Sequence, residues 1–184
     1  MKRPLLAFLL AVPYTALAAC PPVLNHRVPA LLGGSIDLCA YQGRPVLVVN
    51  TASECGFTPQ FSKLEAVYKQ YEALGLVVVG FPSNDFHQEK ASAEDISRVC
   101  YANYGVTFPM AGKVHVTGDD ALPFFKALSA MSGQKPRWNF YKYLVSPDGN
   151  RVTPFSSPTE PDDPALIKAL QPYLNFKSKP IKTG

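Results

Sequence analysis

Two periods of hydrophobic and polar positions alternate along this chain. The run Pro45-Val46-Leu47-Val48-Val49-Asn50 is continuously apolar, mostly β-branched, and ends in polar residues. That is the pattern of a strand buried on both faces. From about Thr58 to Leu74 the period changes, with Phe61, Leu64, Val67, Tyr68 and Tyr71 at helical spacing and Gly75 as a stop. A second buried strand, Leu76 to Phe81, follows at once. Strand, helix and strand with short connections make a βαβ unit, whose crossover sets the two strands parallel.

The alternation continues to the end of the chain. Before the first buried strand, Pro21 to Gly34 reads as irregular and Ser35 to Leu38 as a short strand. Ser92 caps a helix running toward Tyr104, with Glu94 and Asp95 in its first turn. Val114 to Val116 is a short strand candidate, and Leu122 to Met131 a helix. Tyr141 to Val145 and Arg151 to Pro154 flank the turn Ser146-Pro147-Asp148-Gly149-Asn150, a hairpin signal. A last helix from about Asp163 to Leu174 packs Leu166, Leu170 and Tyr173. The expected architecture is α/β, a mixed central sheet flanked by helices.

Length and composition set the frame. With 184 residues, 47% of them hydrophobic, the chain can bury one ordinary core. The first twenty residues read as a targeting signal, with Lys2 and Arg3, an apolar run from Leu5 to Val12, and Ala16-Leu17-Ala18 as a cleavage site. We therefore expect a signal peptide at 1–19, a single domain at 20–184, and an exported, periplasmic protein. No later segment approaches transmembrane length. The formal charge of +4 falls to +2 without Lys2 and Arg3. So small a surplus, without a basic run, speaks against nucleic-acid binding.

The candidate chemistry sits at Cys55, between the first buried strand and the helix after it. A helix N-terminus stabilises a thiolate through its free N–H groups and dipole. Gly56 allows close approach of a second reactant, and strand-end, helix-start positions are where α/β sheets build their sites. The bland alternative is a buried, inert cysteine. A dithiol oxidoreductase would carry C-x-x-C here, whereas this chain has Cys55-Gly56-Phe57-Thr58. A lone sulfur suits attack on a substrate oxygen, giving a sulfenic acid that a distant thiol resolves.

Val49-Asn50-Thr51-Ala52-Ser53-Glu54-Cys55-Gly56-Phe57-Thr58-Pro59-Gln60-Phe61 resembles the segment around the peroxidatic residue of glutathione peroxidases. Gly80-Phe81-Pro82-Ser83-Asn84-Asp85-Phe86-His87-Gln88-Glu89 is similar to that family's G-F-P-C-N-Q-F-G-G-Q-E. Lys135-Pro136-Arg137-Trp138-Asn139-Phe140 resembles its K-x-x-W-N-F block. The likeness runs in order from about Ser35 to Leu174. It implies a thioredoxin fold, reduction of hydrogen peroxide and organic hydroperoxides, and a catalytic set of Cys55, Gln88, Trp138 and Asn139. An indole N–H and amide N–H groups can stabilise a thiolate and a developing oxyanion while remaining neutral. Ser83 and Asp85 depart from the family pattern, and the loop before Gln88 is one residue shorter.

By the same resemblance Cys100 is the resolving cysteine, and its helix must open for its thiolate to reach the sulfenic acid. The duller reading is a small residue filling a helix face. The short interval from Phe125 to Trp138 lacks the segment resembling a subunit-contact loop, which implies a monomer and favours a thioredoxin-like reductant over glutathione. With Cys55 and Cys100 committed, Cys20 and Cys39 are expected to form a structural disulfide. The rival reading of Leu17-Ala18-Ala19-Cys20 is a lipobox, with Cys20 lipid-anchored. No cofactor is expected, and His26, His87 and His115 lack metal-ligand spacing. Two other functional readings stay open: a thiol-disulfide oxidoreductase or redox sensor, and a non-catalytic lipoprotein or binding module.

Overall fold

The computed structural model describes residues 19–174. The expected signal peptide therefore lies outside the described residues, apart from Ala19. Six strands and four α-helices are present among the described residues: β1 (Arg27–Pro29), β2 (Ser35–Asp37), β3 (Val46–Thr51), α1 (Gln60–Tyr71), β4 (Val77–Pro82), α2 (Ala93–Ser97), α3 (Pro123–Ser132), β5 (Lys142–Val145), β6 (Val152–Phe155) and α4 (Pro164–Leu170). The central sheet has the order β4-β3-β5-β6. β3 pairs parallel with β4 and antiparallel with β5, and β5 and β6 form an antiparallel hairpin. This is the mixed sheet expected from the pattern, and it is a thioredoxin fold.

Every residue of β3 and β4 is buried. Because alternate side chains leave opposite faces, β3 feeds two cores. Leu47 and Val49 pack with Phe61, Leu64, Val67, Leu166 and Leu170, so α1 and α4 cover one face. Val46 and Val48 pack with Phe124, Phe125, Leu128 and the N-terminal residues Val23, Leu24 and Val28 on the other. Both Cys55 and Cys100 belong to the α1 side.

Several expectations change. Pro21 to Gly34 is not irregular: it holds a 3₁₀ turn at Pro22–Leu24 and β1, which pairs antiparallel with β2. Val114 to Val116 is not a strand, because only the Val114 donor reaches β4 and the Asp85 carboxylate takes that of Val116. Val114 N–H donates to Pro82 O and Val116 N–H to the Asp85 carboxylate. The bridge to β4 forms earlier, between Gly80 and Met110. The helix capped by Ser92, whose hydroxyl accepts from Asp95 N–H, remains α-helical only to Ser97. It continues as a wide π-type segment over Arg98–Asn103.

The N-terminal segment is tied down twice. Cys20 and Cys39 are joined by a disulfide with a Cα–Cα distance of 5.6 Å, within the usual bridging range. Pro21 lies against Gly149, where a Cβ would collide with its ring. Glycine at φ +70° therefore serves both the β5–β6 turn and the seat of Pro21.

Candidate active site

β3 ends at Thr51, and the chain makes a tight turn before α1 begins at Gln60. Thr58 pins that turn: its hydroxyl donates to Ala52 O at 2.9 Å and accepts from Cys55 N–H at 3.0 Å, while its N–H donates to Cys55 O. The expected helix start at Thr58 thus falls two residues later, and Cys55 precedes α1 rather than capping it. Its sulfur accepts the Phe57 N–H at 3.4 Å. Cys55 is 7% exposed, and among the described residues none but the adjoining Cys55 and Phe57 can stand within 4 Å of where a Gly56 side chain would begin. The sulfur is thus sheltered beside an open approach.

Gln88 arrives from the loop after β4, which is laced to the Cys55 turn. Glu54 N–H donates to Gln88 O at 2.9 Å, Ser53 N–H to the Glu89 carboxylate at 3.1 Å, and Lys90 pairs with Glu54. The shortened loop closes because His87 adopts a left-handed φ of +58°, a conformation that costs most side chains but histidine and asparagine less. Gln88 Oε1 then accepts from Asn139 Nδ2 at 2.9 Å. Asn139 is fully buried, and its Oδ1 has no partner among the described residues. The pair thus offers an amide acceptor and unused amide hydrogens to a third molecule. Trp138 is 41% exposed and its ring lies 5.4 Å from that of Phe86, which makes it a rim residue rather than core.

Cys100 is apart from this cluster in chemistry. It is wholly buried in the π-type segment. Burial pushes its thiol up to about 12, and the nearby Glu89 carboxylate pushes in the same direction. Glu89 is itself 8% exposed, and burial holds its pKa above the ordinary carboxylate value.

Sequence reasoning passed over four residues that build this site. Asn50 is fully buried and grips the Trp138 segment, with Nδ2 donating to Trp138 O and Oδ1 accepting from Tyr141 N–H. Glu89 holds the Cys55 turn, as above. Asp85, a departure from the family pattern, accepts from Val116 N–H, Thr117 N–H and His115. Burial raises its pKa, but these bonds outweigh burial and leave it below the ordinary value. Lys142 is buried in β5. A signal was available in two cases: Lys142 is a charged residue inside an apolar run, and Asn50 is the polar residue that ends one.

Comparison with known proteins agrees with this geometry. A sequence profile described as glutathione peroxidase matches residues 23–129. The glutathione peroxidase homolog BsaA of Staphylococcus aureus is 46% identical over 134 residues, covering 70% of this chain and 85% of the relative. The glutathione peroxidase-like peroxiredoxin HYR1 of Saccharomyces cerevisiae is 47% identical over 139 residues, covering 72% and 84%. Among solved structures, apo Trgpx superposes with a TM-score of 0.63 at 38% identity, over 81% of this chain and 95% of that one. A secreted disulfide oxidoreductase of Mycobacterium tuberculosis, at 16% identity and a TM-score of 0.56, shares the fold.

Proposed function

Since the chain belongs to the glutathione peroxidase family and is a thiol peroxidase, we propose that Cys55 is the sulfur that meets the peroxide. The Cys55 thiolate attacks one peroxide oxygen, the O–O bond breaks, and the departing oxygen leaves with a proton as water or alcohol. Cys55 becomes a sulfenic acid. Gln88, Asn139 and Trp138 supply neutral donors for the charge that develops on the departing oxygen. The observation that carries this reading is the lacing of Gln88 and Asn139 to the Cys55 turn beside an open approach.

Cys100 resolves the intermediate. Its thiolate attacks the sulfenic sulfur, hydroxide leaves and is protonated to water, and a Cys55–Cys100 disulfide remains for an external thiol to reduce. Two similar yeast proteins are named peroxiredoxins, which supports a thioredoxin-like reductant over glutathione. We further propose that the protein is a monomer, exported to the periplasm after loss of residues 1–19.

The test is peroxide consumption by wild type and Cys55→Ser, each with thioredoxin and with glutathione. The serine variant should fold and show no turnover, because a hydroxyl has almost no anionic form at neutral pH. Turnover at the wild-type rate in that variant would overturn the assignment.

A further inference from the structure

Lys142 is a charged side chain that is completely buried on a strand of the central sheet. Its register partner on β3 is Val49, which packs with Cys55 and Phe61. Paired residues share a face of the sheet, so the lysine leaves β5 on the side of the reactive cysteine. Its Nζ donates to three backbone carbonyls, Thr159 O at 2.7 Å, Phe140 O at 2.8 Å and Ser157 O at 3.4 Å. Burial pushes the ammonium down to about 7, while Glu160 favours the charged form. An ammonium has three donors for these three acceptors, whereas the neutral amine has two.

What those carbonyls belong to gives the lysine its significance. Phe140 directly follows Trp138 and Asn139 and sits at φ +59°, a left-handed conformation that a bulky side chain adopts only when its surroundings impose it. Its N–H donates to Asn50 O at 2.6 Å and its ring packs edge-on against Phe61 of α1. Ser157 O, the second carbonyl, also accepts from the Gln60 side chain at 2.8 Å, and Gln60 is the first residue of α1. One cation therefore joins the turn that carries Trp138 and Asn139 to the helix that follows Cys55.

We infer that Lys142 is a positioning residue for peroxide reduction: its Nζ holds the Trp138-Asn139-Phe140 turn in register with the Cys55 turn. The lysine touches neither substrate nor sulfur and acts through Asn139 and Trp138. The inference rests on the roles proposed above for Cys55, Trp138 and Asn139. A merely structural lysine would satisfy the same carbonyls and support the fold, but removing it would not change how Cys55 discriminates between reagents.

The test compares wild type, Lys142→Met and Lys142→Gln in two reactions of Cys55, oxidation by hydrogen peroxide and alkylation by iodoacetamide. Both use the thiolate, but only the first has a departing oxygen for the neutral donors to stabilise. In Lys142→Met the peroxide rate should fall about 10- to 100-fold, the size expected of a small misplacement, with alkylation changed far less. Lys142→Gln, which keeps an amide donor, should fall between. Trp138 is the single tryptophan, so its fluorescence anisotropy and acrylamide quenching report the turn directly and should show it loosened in Lys142→Met. A folded variant with an unchanged ratio of the two rates, or with unchanged Trp138 signals, overturns the proposal. So does failure of both variants to fold, which would make Lys142 a determinant of the fold. Peroxide turnover in Cys55→Ser, by contrast, would sink the underlying reading and not this step alone.

Discussion

Asn139 and Gln88 are bonded to each other, and that bond decides how their contributions combine. Each removed alone leaves the other without its partner, so part of the damage is shared. We expect Asn139→Ala and Gln88→Ala each to slow oxidation of Cys55 by about 10²-fold, the usual consequence of losing one preorganised donor. The double variant should be slower than either single by much less than the product of the two losses. Stopped-flow oxidation of all four proteins measures this directly. Independent, multiplying effects would mean that the 2.9 Å bond between them does not organise the site. Asn139 Oδ1, without a partner among the described residues, bears on the same point, since a buried acceptor left open is costly to the fold. Such a cost is tolerated where a passing ligand can supply the missing proton.

At the level of elements, the π-type segment over Arg98–Asn103 is where fold and function pull against each other. Wide turns of this kind are rare in helices and are found at functional positions. Within the closed segment Cys100 is held up to about 12, so in a rigid protein its attack on the sulfenic acid would keep accelerating with pH to that value. Opening returns the thiol to water and to an ordinary pKa of roughly 8.5. Resolution should therefore rise with pH and level off near the ordinary value, measured as formation of the Cys55–Cys100 disulfide after a single peroxide addition. A rate still climbing tenfold per pH unit well above that point would show that the segment stays closed. In Cys100→Ser one equivalent of peroxide should be consumed and thioredoxin-driven turnover should fail. The sequence disclosed the helix and its Ser92 cap, because periodicity and capping are local. It could not disclose the change of pitch, which depends on what the segment packs against. The same division runs through the rest of the chain. β3 and β4 were legible as continuous apolar runs, but Val114 to Val116 was misread because the Asp85 carboxylate, some thirty residues away, takes its donor. Cys55 was legible from its place between a buried strand and a helix, whereas Gln88, Trp138 and Asn139 were readable only as motifs. Asn50 and Lys142, which hold the Trp138 turn, carry no motif reading and become intelligible once β3 and β5 lie side by side.

For the whole molecule, the N-terminal segment raises the question of what the domain needs in order to stay closed. The disulfide between Cys20 and Cys39 spans 19 residues of sequence and fastens the start of the described chain to the 3₁₀ turn Leu38–Tyr41 that follows β2. Val23, Leu24 and Val28 are part of the core on the α3 side, so loosening this segment exposes one face of the sheet. In the chain-entropy picture, closing such a loop stabilises the fold by about 3 kcal/mol, less to the extent that the segment is already held by its own packing. The effect should appear as a lower denaturation midpoint in Cys39→Ser, with peroxide oxidation of Cys55 unchanged because the catalytic turn lies on the opposite face. Denaturant titration and stopped-flow oxidation of the same preparation separate the two. The lipobox reading makes the contrary demand, since an acylated Cys20 has no thiol to share. Intact mass of the protein recovered from its native envelope decides between them. We expect a chain two mass units lighter than its reduced form while Cys55 and Cys100 remain alkylatable. A diacylglyceryl adduct on Cys20 with a free thiol at Cys39 would instead place the enzyme on a membrane surface and leave the segment held by packing alone.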